Sequence, residues 1–223
     1  MSNRKDEIAQ NLQEVKERIS SAAKSAGRDP AEIQLIVVTK TFPISDIEIL
    51  RELGESNFGE NRDQEAGPKA EAINATWHFQ GQIQRNKIKS ICQWADVIHS
   101  ISSEKEILKF AQSPRAHQVF LQVSLDGQEG RGGASPADLT QLADLVNQSN
   151  NLELLGLMAV APLGVEPIKA FADLAQINQG FASQYPNSKY LSAGMSGDFE
   201  AAIKHGATHV RVGSSILGSR SPH

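Results

Sequence analysis

Cysteine is nearly absent: Cys92 is the only one among 223 residues. A single thiol excludes an intrachain disulfide framework and a cysteine-ligated metal cluster, and such usage predicts a reducing, cytoplasmic setting. Cys92 lies in the half-apolar stretch KSICQWADVI with no adjacent histidine, so it is expected to be a small core hydrophobe. Nor does charge of one sign dominate, since 22 Lys and Arg stand against 26 Asp and Glu for a formal charge of -4. Such a balance gathers neither a phosphate backbone nor an anionic lipid surface, so nucleic acid and membrane are not expected partners. No apolar run approaches the roughly 20 residues of a membrane span. The start, MSNRKDEIAQ, is charged at once, so an apolar leader segment is not expected. Metal binding is not expected either: the six histidines form no H-E-x-x-H motif and have no companion carboxylate at ligand spacing.

What the chain does have is a regular pattern. Its 39% hydrophobic residues suffice for one sizeable core, and its length suits a single α/β domain over 1–223. Apolar residues at Ile8, Leu12, Val15, Ile19 and Ala22 or Ala23 predict an N-terminal helix within 1–29, stopped by Gly27. From there strand and helix patterns alternate strictly. Strands are predicted at 34–40, 56–61, 76–81, 96–101, 117–125, 152–160, 189–194 and 208–218. Eight such units in so short a chain point to a (β/α)8 TIM-type barrel with the first helix as an addition, although periodicity alone leaves an open doubly wound sheet as the alternative. The segment DGQEGRGGAS (126–135) holds four glycines without the GK[ST] ending of a P-loop, and it reads as a flexible loop.

In a barrel, side chains of one parity fill the lumen and functional groups sit at the carboxyl ends of the strands. Lys40 ends the run LIVVTK on the parity of Ile36 and Val38, which would set its amine above an apolar floor, where desolvation frees it for Schiff-base chemistry. The plainer reading is a lysine reaching from a strand end to solvent. In THVRVGSS, His209, Arg211 and Gly213 share one parity and Val210 and Val212 the other. An arginine in the lumen needs an anion or an acceptor. The following Gly213-Ser214-Ser215 falls where barrel enzymes commonly hold phosphate, though a simple glycine turn with solvent-facing serines fits too. Ser196, in SAGMSGD, suits a helix cap that also donates to phosphate; the segment lacks the last glycine of a nucleophile elbow. Asn61, on the parity of Asn57 and Gly59, and His78, on that of Gln80, are further lumen candidates. His78 is equally a satisfied core histidine.

The segments VVTKTFPISDI, FGENRDQEA, WHFQGQIQRNK, LLGLMAV, LSAGMSGDFEAAI and THVRVGSSILG, in this order over nearly the whole chain after residue 30, resemble the pyridoxal phosphate homeostasis proteins. These are small single-domain relatives of the alanine racemase barrel. The resemblance implies that Lys40 forms an internal aldimine with pyridoxal 5'-phosphate (PLP) and that Arg211 faces the pyridine nitrogen. It further implies that Ser196, Gly213 and Ser214 hold the phosphate, with Asn61, His78 and Met158 lining the site. Departures from the family pattern fall in QIQRNK, at Gln82 and Arg85, in SAGMS, and at Arg131, and none touches the lysine, arginine or phosphate positions.

PLP stabilises a carbanion best with a protonated ring nitrogen, and a guanidinium there leaves that nitrogen unprotonated. Racemisation also needs a second acid–base group. The only tyrosines, Tyr185 and Tyr190, come before or at the start of the seventh strand, and no further domain is expected after the eighth unit. The expectation is therefore a cytoplasmic, monomeric protein of vitamin B6 homeostasis with no catalytic residues. It would hold PLP, buffer it or deliver it to PLP-dependent apo-enzymes, and so affect amino-acid and keto-acid pools. The alternatives are a weak PLP-dependent racemase or lyase, and a PLP-free Schiff-base aldolase acting on a phosphorylated sugar.

Overall fold

Helix α1 (Arg4–Ser25) buries the six residues of the expected stripe, Ile8, Leu12, Val15, Ile19, Ala22 and Ala23. It closes as a glycine cap closes: Gly27 at φ 69 donates its amide to Lys24, and the Arg28 amide returns to Ala23. The structure is a computed structural model that describes residues 3–128 and 132–218.

Beyond α1 come β1 (Gln34–Val38), α2 (Ile44–Glu52), β2 (Asn57–Glu60), α3 (Asp63–Ala72), β3 (Thr76–Phe79), α4 (Ile88–Trp94), β4 (Val97–Ile101) and α5 (Glu104–Phe110). The second half holds β5 (His117–Gln122), α6 (Leu139–Asn147), β6 (Leu152–Met158), α7 (Pro167–Gln184), β7 (Tyr190–Met195), α8 (Phe199–Lys204), β8 (His209–Val212) and α9 (Ser214–Leu217). All eight strands pair parallel in sequence order, and β1 pairs back onto β8 from Gln34↔His209 to Val37↔Val212. That closing ladder excludes the open doubly wound sheet. No described helix is long and apolar enough to cross a membrane.

Alternation along the strands separates two cores. Leu35, Val37, Phe58, Trp77, Phe79, Val210 and Val212 pack outward beneath the helices. The other face fills the lumen, where Val97, Phe120, Leu155 and Met158 form their own cluster, Leu155 and Met158 sharing that face because β6 shifts register between Leu154 and Gly156. Several predicted strands, among them the first, third, fifth and sixth, end a few residues earlier than expected, and the last departs most. Residues 208–218 divide into β8 and the short helix α9, because Ile216 and Leu217 are consecutive and both buried, which a helix permits and an alternating strand does not. The first helix is also more than an ornament. Asn11 Nδ2 donates to the Ile216 carbonyl at 3.0 Å and Arg4 to that of Leu217 at 2.9 Å, so α1 holds α9 in place.

Candidate functional site

Residues at the carboxyl ends of the strands enclose a cavity of about 420 Å³. Its wall gathers Lys40, Asn61, Met158, Ser196, Arg211, Gly213 and Ser214 from five different strands or their following loops, together with Val38, Phe42, Gln80, Val160 and Met195. His78 is not part of that wall. It is buried one layer below Gln80, with Nε2 donating to Asn57 Oδ1 at 3.0 Å and Nδ1 2.9 Å from His99 Nε2. Parity put His78 in the lumen correctly, but its depth along the strand makes it floor.

Lys40 is held through its neighbours. On one side Lys69 of α3 donates to the Thr39 carbonyl at 2.9 Å and to Glu60 Oε1 at 2.6 Å, and the Thr39 hydroxyl donates to the same oxygen at 2.7 Å. On the other side Thr41 adopts φ 69 and gives its amide to Glu65 Oε2 at 2.9 Å. A β-branched residue in that region costs about 1–3 kcal/mol, so the hydrogen bond counters real strain. Glu65 and Lys69, one turn apart on α3, thus fix the peptides that flank Lys40. Burial raises the Glu60 carboxyl above its ordinary range even though Lys69 and Thr39 act against it. For Glu65 burial pushes the same way, but the Thr41 amide and Arg62 outweigh it and the net shift is downward.

Arg211 is only 4% exposed and lines the cavity. One guanidinium nitrogen donates to Ser192 Oγ at 2.7 Å and another to the Ala159 carbonyl at 3.0 Å. Neither acceptor is charged, and burial drives the group down to about 10 with only Asp198 opposing. Across the cavity, Asn61 Oδ1 and Gln80 Nε2 are shut off from solvent and have no hydrogen-bond partner among the described residues. Their backbone is firm: the Gln80 amide donates to Glu60 and the Gly81 carbonyl accepts from Ser100 Oγ at 2.6 Å. An acceptor and a donor left orphaned on a cavity wall, in a rigid frame, mark a place for a ligand's polar atoms.

The third side consists of backbone and hydroxyls. Ser196 Oγ accepts the amides of Gly213 and Ser215, each at 3.4 Å. At Gly213 a Cβ would stand 2.9 Å from the Val38 carbonyl oxygen, so only glycine lets this loop lie against β1.

Sequence reasoning missed Gln80 as a wall residue, although its parity with His78 was visible, and it missed Glu65 and Lys69, for which no local signal exists. Cys92 is buried as expected, with its thiol pushed up by that burial. His205 and His209, spaced four apart, are split. His205 bonds the Ala201 carbonyl beyond α8 while His209 bonds Thr208 and packs on Phe120, so they do not form a ligand pair. In the glycine loop, Gln122 donates to the Gly132 carbonyl at 2.8 Å, while 129–131, including Arg131, lie outside the described residues.

A closed (β/α)8 barrel with a lysine after its first strand and a glycine–serine loop after its eighth defines a class, and residues 5–221 match the family model described as alanine racemase, N-terminal domain. A pyridoxal phosphate homeostasis protein of Corynebacterium glutamicum is 42% identical, with 91% of this chain and 97% of the relative aligned. Another, from Mycobacterium leprae, is 39% identical over 99% of this chain and 96% of the relative. Among solved structures, that of PipY from Synechococcus elongatus, with PLP bound, superposes with a TM-score of 0.81 at 31% identity, covering 95% of this chain and 100% of that one. The chain belongs to the pyridoxal phosphate homeostasis protein family within the alanine racemase class.

Proposed function

We propose that this chain binds PLP in the cavity, holds it through Lys40, and serves vitamin B6 homeostasis by buffering the cofactor or delivering it to apo-enzymes. The observation that carries the reading is Arg211: a buried cation without a carboxylate partner among the described residues, on the wall of the cavity that Lys40 also lines. The residues present fit PLP. Ser196, Gly213 and Ser214 would hold its phosphate, Arg211 would donate to its ring nitrogen, and the orphaned amide atoms of Asn61 and Gln80 would meet polar atoms at the opposite edge, with Met158 against the ring. Bound PLP supplies an aldehyde that forms a Schiff base with a primary amine. Here the amine is Lys40. His78 contributes from beneath.

The same residues support holding over turnover. Arg211 is a permanent donor and keeps the ring nitrogen unprotonated, which weakens the electron sink. Both tyrosines are elsewhere: Tyr185 bonds Asp144 at 2.7 Å between α6 and the end of α7, and Tyr190 opens β7 against His209. In this reading the protein is a cytoplasmic monomer, one domain over 1–223, whose effect on amino-acid and keto-acid pools follows from PLP supply. The test is incubation of the PLP-loaded protein with single L- or D-amino acids in deuterated water. No exchange at Cα, together with PLP transfer to an apo-enzyme faster than release into solution, supports the reading; catalytic exchange lost in Lys40→Ala establishes a racemase-like enzyme instead.

A further inference from the structure

A line of hydrogen bonds crosses the barrel lumen beneath the cavity. From Arg211 it runs to Ser192 Oγ (2.7 Å), from Ser192 Oγ to His99 Nδ1 (2.9 Å), from His99 Nε2 to His78 Nδ1 (2.9 Å) and from His78 Nε2 to Asn57 Oδ1 (3.0 Å). Ser192, His99 and His78 are all buried, so none of these groups has water as a substitute partner.

The two ends fix the direction of every proton between them. A guanidinium only donates, and an amide oxygen only accepts. His78 Nε2 must therefore carry the hydrogen given to Asn57, which leaves Nδ1 of a neutral ring as an acceptor. His99 then donates through Nε2 and accepts at Nδ1. The Ser192 hydroxyl hydrogen is committed to His99, and its lone pairs are left facing Arg211. Both rings are kept neutral by their surroundings, since burial lowers His78 to about 3 and His99 well below the ordinary imidazole value. His99 is also stacked on Phe120 with centroids 4.6 Å apart, which holds its plane.

The line contains no carboxylate. An acidic partner in place of Ser192 would form an ion pair with Arg211 and compete with any ligand for its charge. A hydroxyl of fixed orientation aims the guanidinium and leaves its charge to the cavity. We propose that Ser192, backed by His99 and His78, is a positioning chain that sets Arg211 toward the ring nitrogen of the bound cofactor. The proposal rests on the PLP reading above.

The test compares affinities for PLP and for its analogue with CH in place of the ring nitrogen, by spectroscopic titration of the folded protein and its variants. Ser192→Ala should weaken PLP by about tenfold and the analogue by no more than about twofold, because only PLP offers an acceptor to Arg211. His99→Phe, which interrupts the line one link further on, should shift the ratio in the same direction and is read in the same way if Ser192→Ala does not fold. His209→Phe is the control. It alters a partly buried barrel histidine outside the line and should leave the ratio unchanged. Equal losses for both ligands in Ser192→Ala and His99→Phe would show a merely structural role and overturn the positioning proposal, as would an unchanged affinity for PLP. Failure of the unaltered protein to bind either ligand would instead overturn the PLP reading itself.

Discussion

Replacing Lys69 by Met keeps the aliphatic stem that threads between α3 and the barrel and removes only the ammonium. That ammonium is the cationic partner of Glu60, whose side chain is 0% exposed and whose second oxygen, Oε2, already has no partner among the described residues. Removing one member of a buried pair costs about 3–5 kcal/mol, because the remaining charge is neither hydrated nor compensated. The loss must depend on pH. A carboxyl whose folded value is raised by burial favours the fold in its protonated form, so its cost is absent below the unfolded value of 4.5 and grows as pH rises through the folded value. Without Lys69 the folded value rises further. In urea unfolding, Lys69→Met should therefore lose about 3–5 kcal/mol at pH 7.5 and distinctly less at pH 5. Since Lys69 also holds the Thr39 carbonyl beside Lys40, the variant should bind PLP more weakly even at pH 5. A loss below about 1 kcal/mol at pH 7.5, or one of equal size at both pH values, would refute this account of the cluster.

Three further outcomes are expected. Ser196→Ala with Ser214→Ala should weaken PLP at least tenfold while sparing pyridoxal, since charge-assisted hydrogen bonds of about 1.5–3 kcal/mol each serve only the phosphate; calorimetric titration with both ligands checks it. Gly213→Ala should reduce PLP affinity while the protein stays folded by circular dichroism, because a Cβ 2.9 Å from the Val38 carbonyl oxygen forces the phosphate loop off β1. His78, His99, His117 and His209 are all lowered from 6.5 by burial, so stability present above that value should drain as pH falls and the unfolded chain takes up protons the fold refuses. Four histidines outweigh the opposing Glu60, and urea midpoints at pH 7 and pH 5 measure the difference.

Much of this site was legible because barrel strands alternate. Parity alone put Lys40, Asn61 and Arg211 on the lumen face, and the glycine–serine run put Ser196, Gly213 and Ser214 at loops that border the cavity. Depth was not legible. His78 and Gln80 share a parity, and only the register of β3 against β2 and β4 shows that the former is floor and the latter wall. Contacts between elements distant in sequence were invisible for a different reason: Glu65 and Lys69 read as ordinary charges on a weak helix interrupted by Pro68, and nothing local tells that they grip the strand carrying Lys40. The final strand was overextended because a valine alternation runs directly into a four-residue helix whose own period is too short to detect.

Borohydride reduction of the PLP-loaded protein, followed by peptide mapping, tests the central claim most directly, because reduction turns a Schiff base into a stable bond on whichever lysine formed it. The account predicts one phosphopyridoxyl label, on Lys40, and none in Lys40→Ala, which should remain folded because the side chain lies just beyond the end of β1 at the cavity and is not packed in the barrel layers. A label on Lys87 or Lys89, or undiminished labelling of Lys40→Ala, would contradict it.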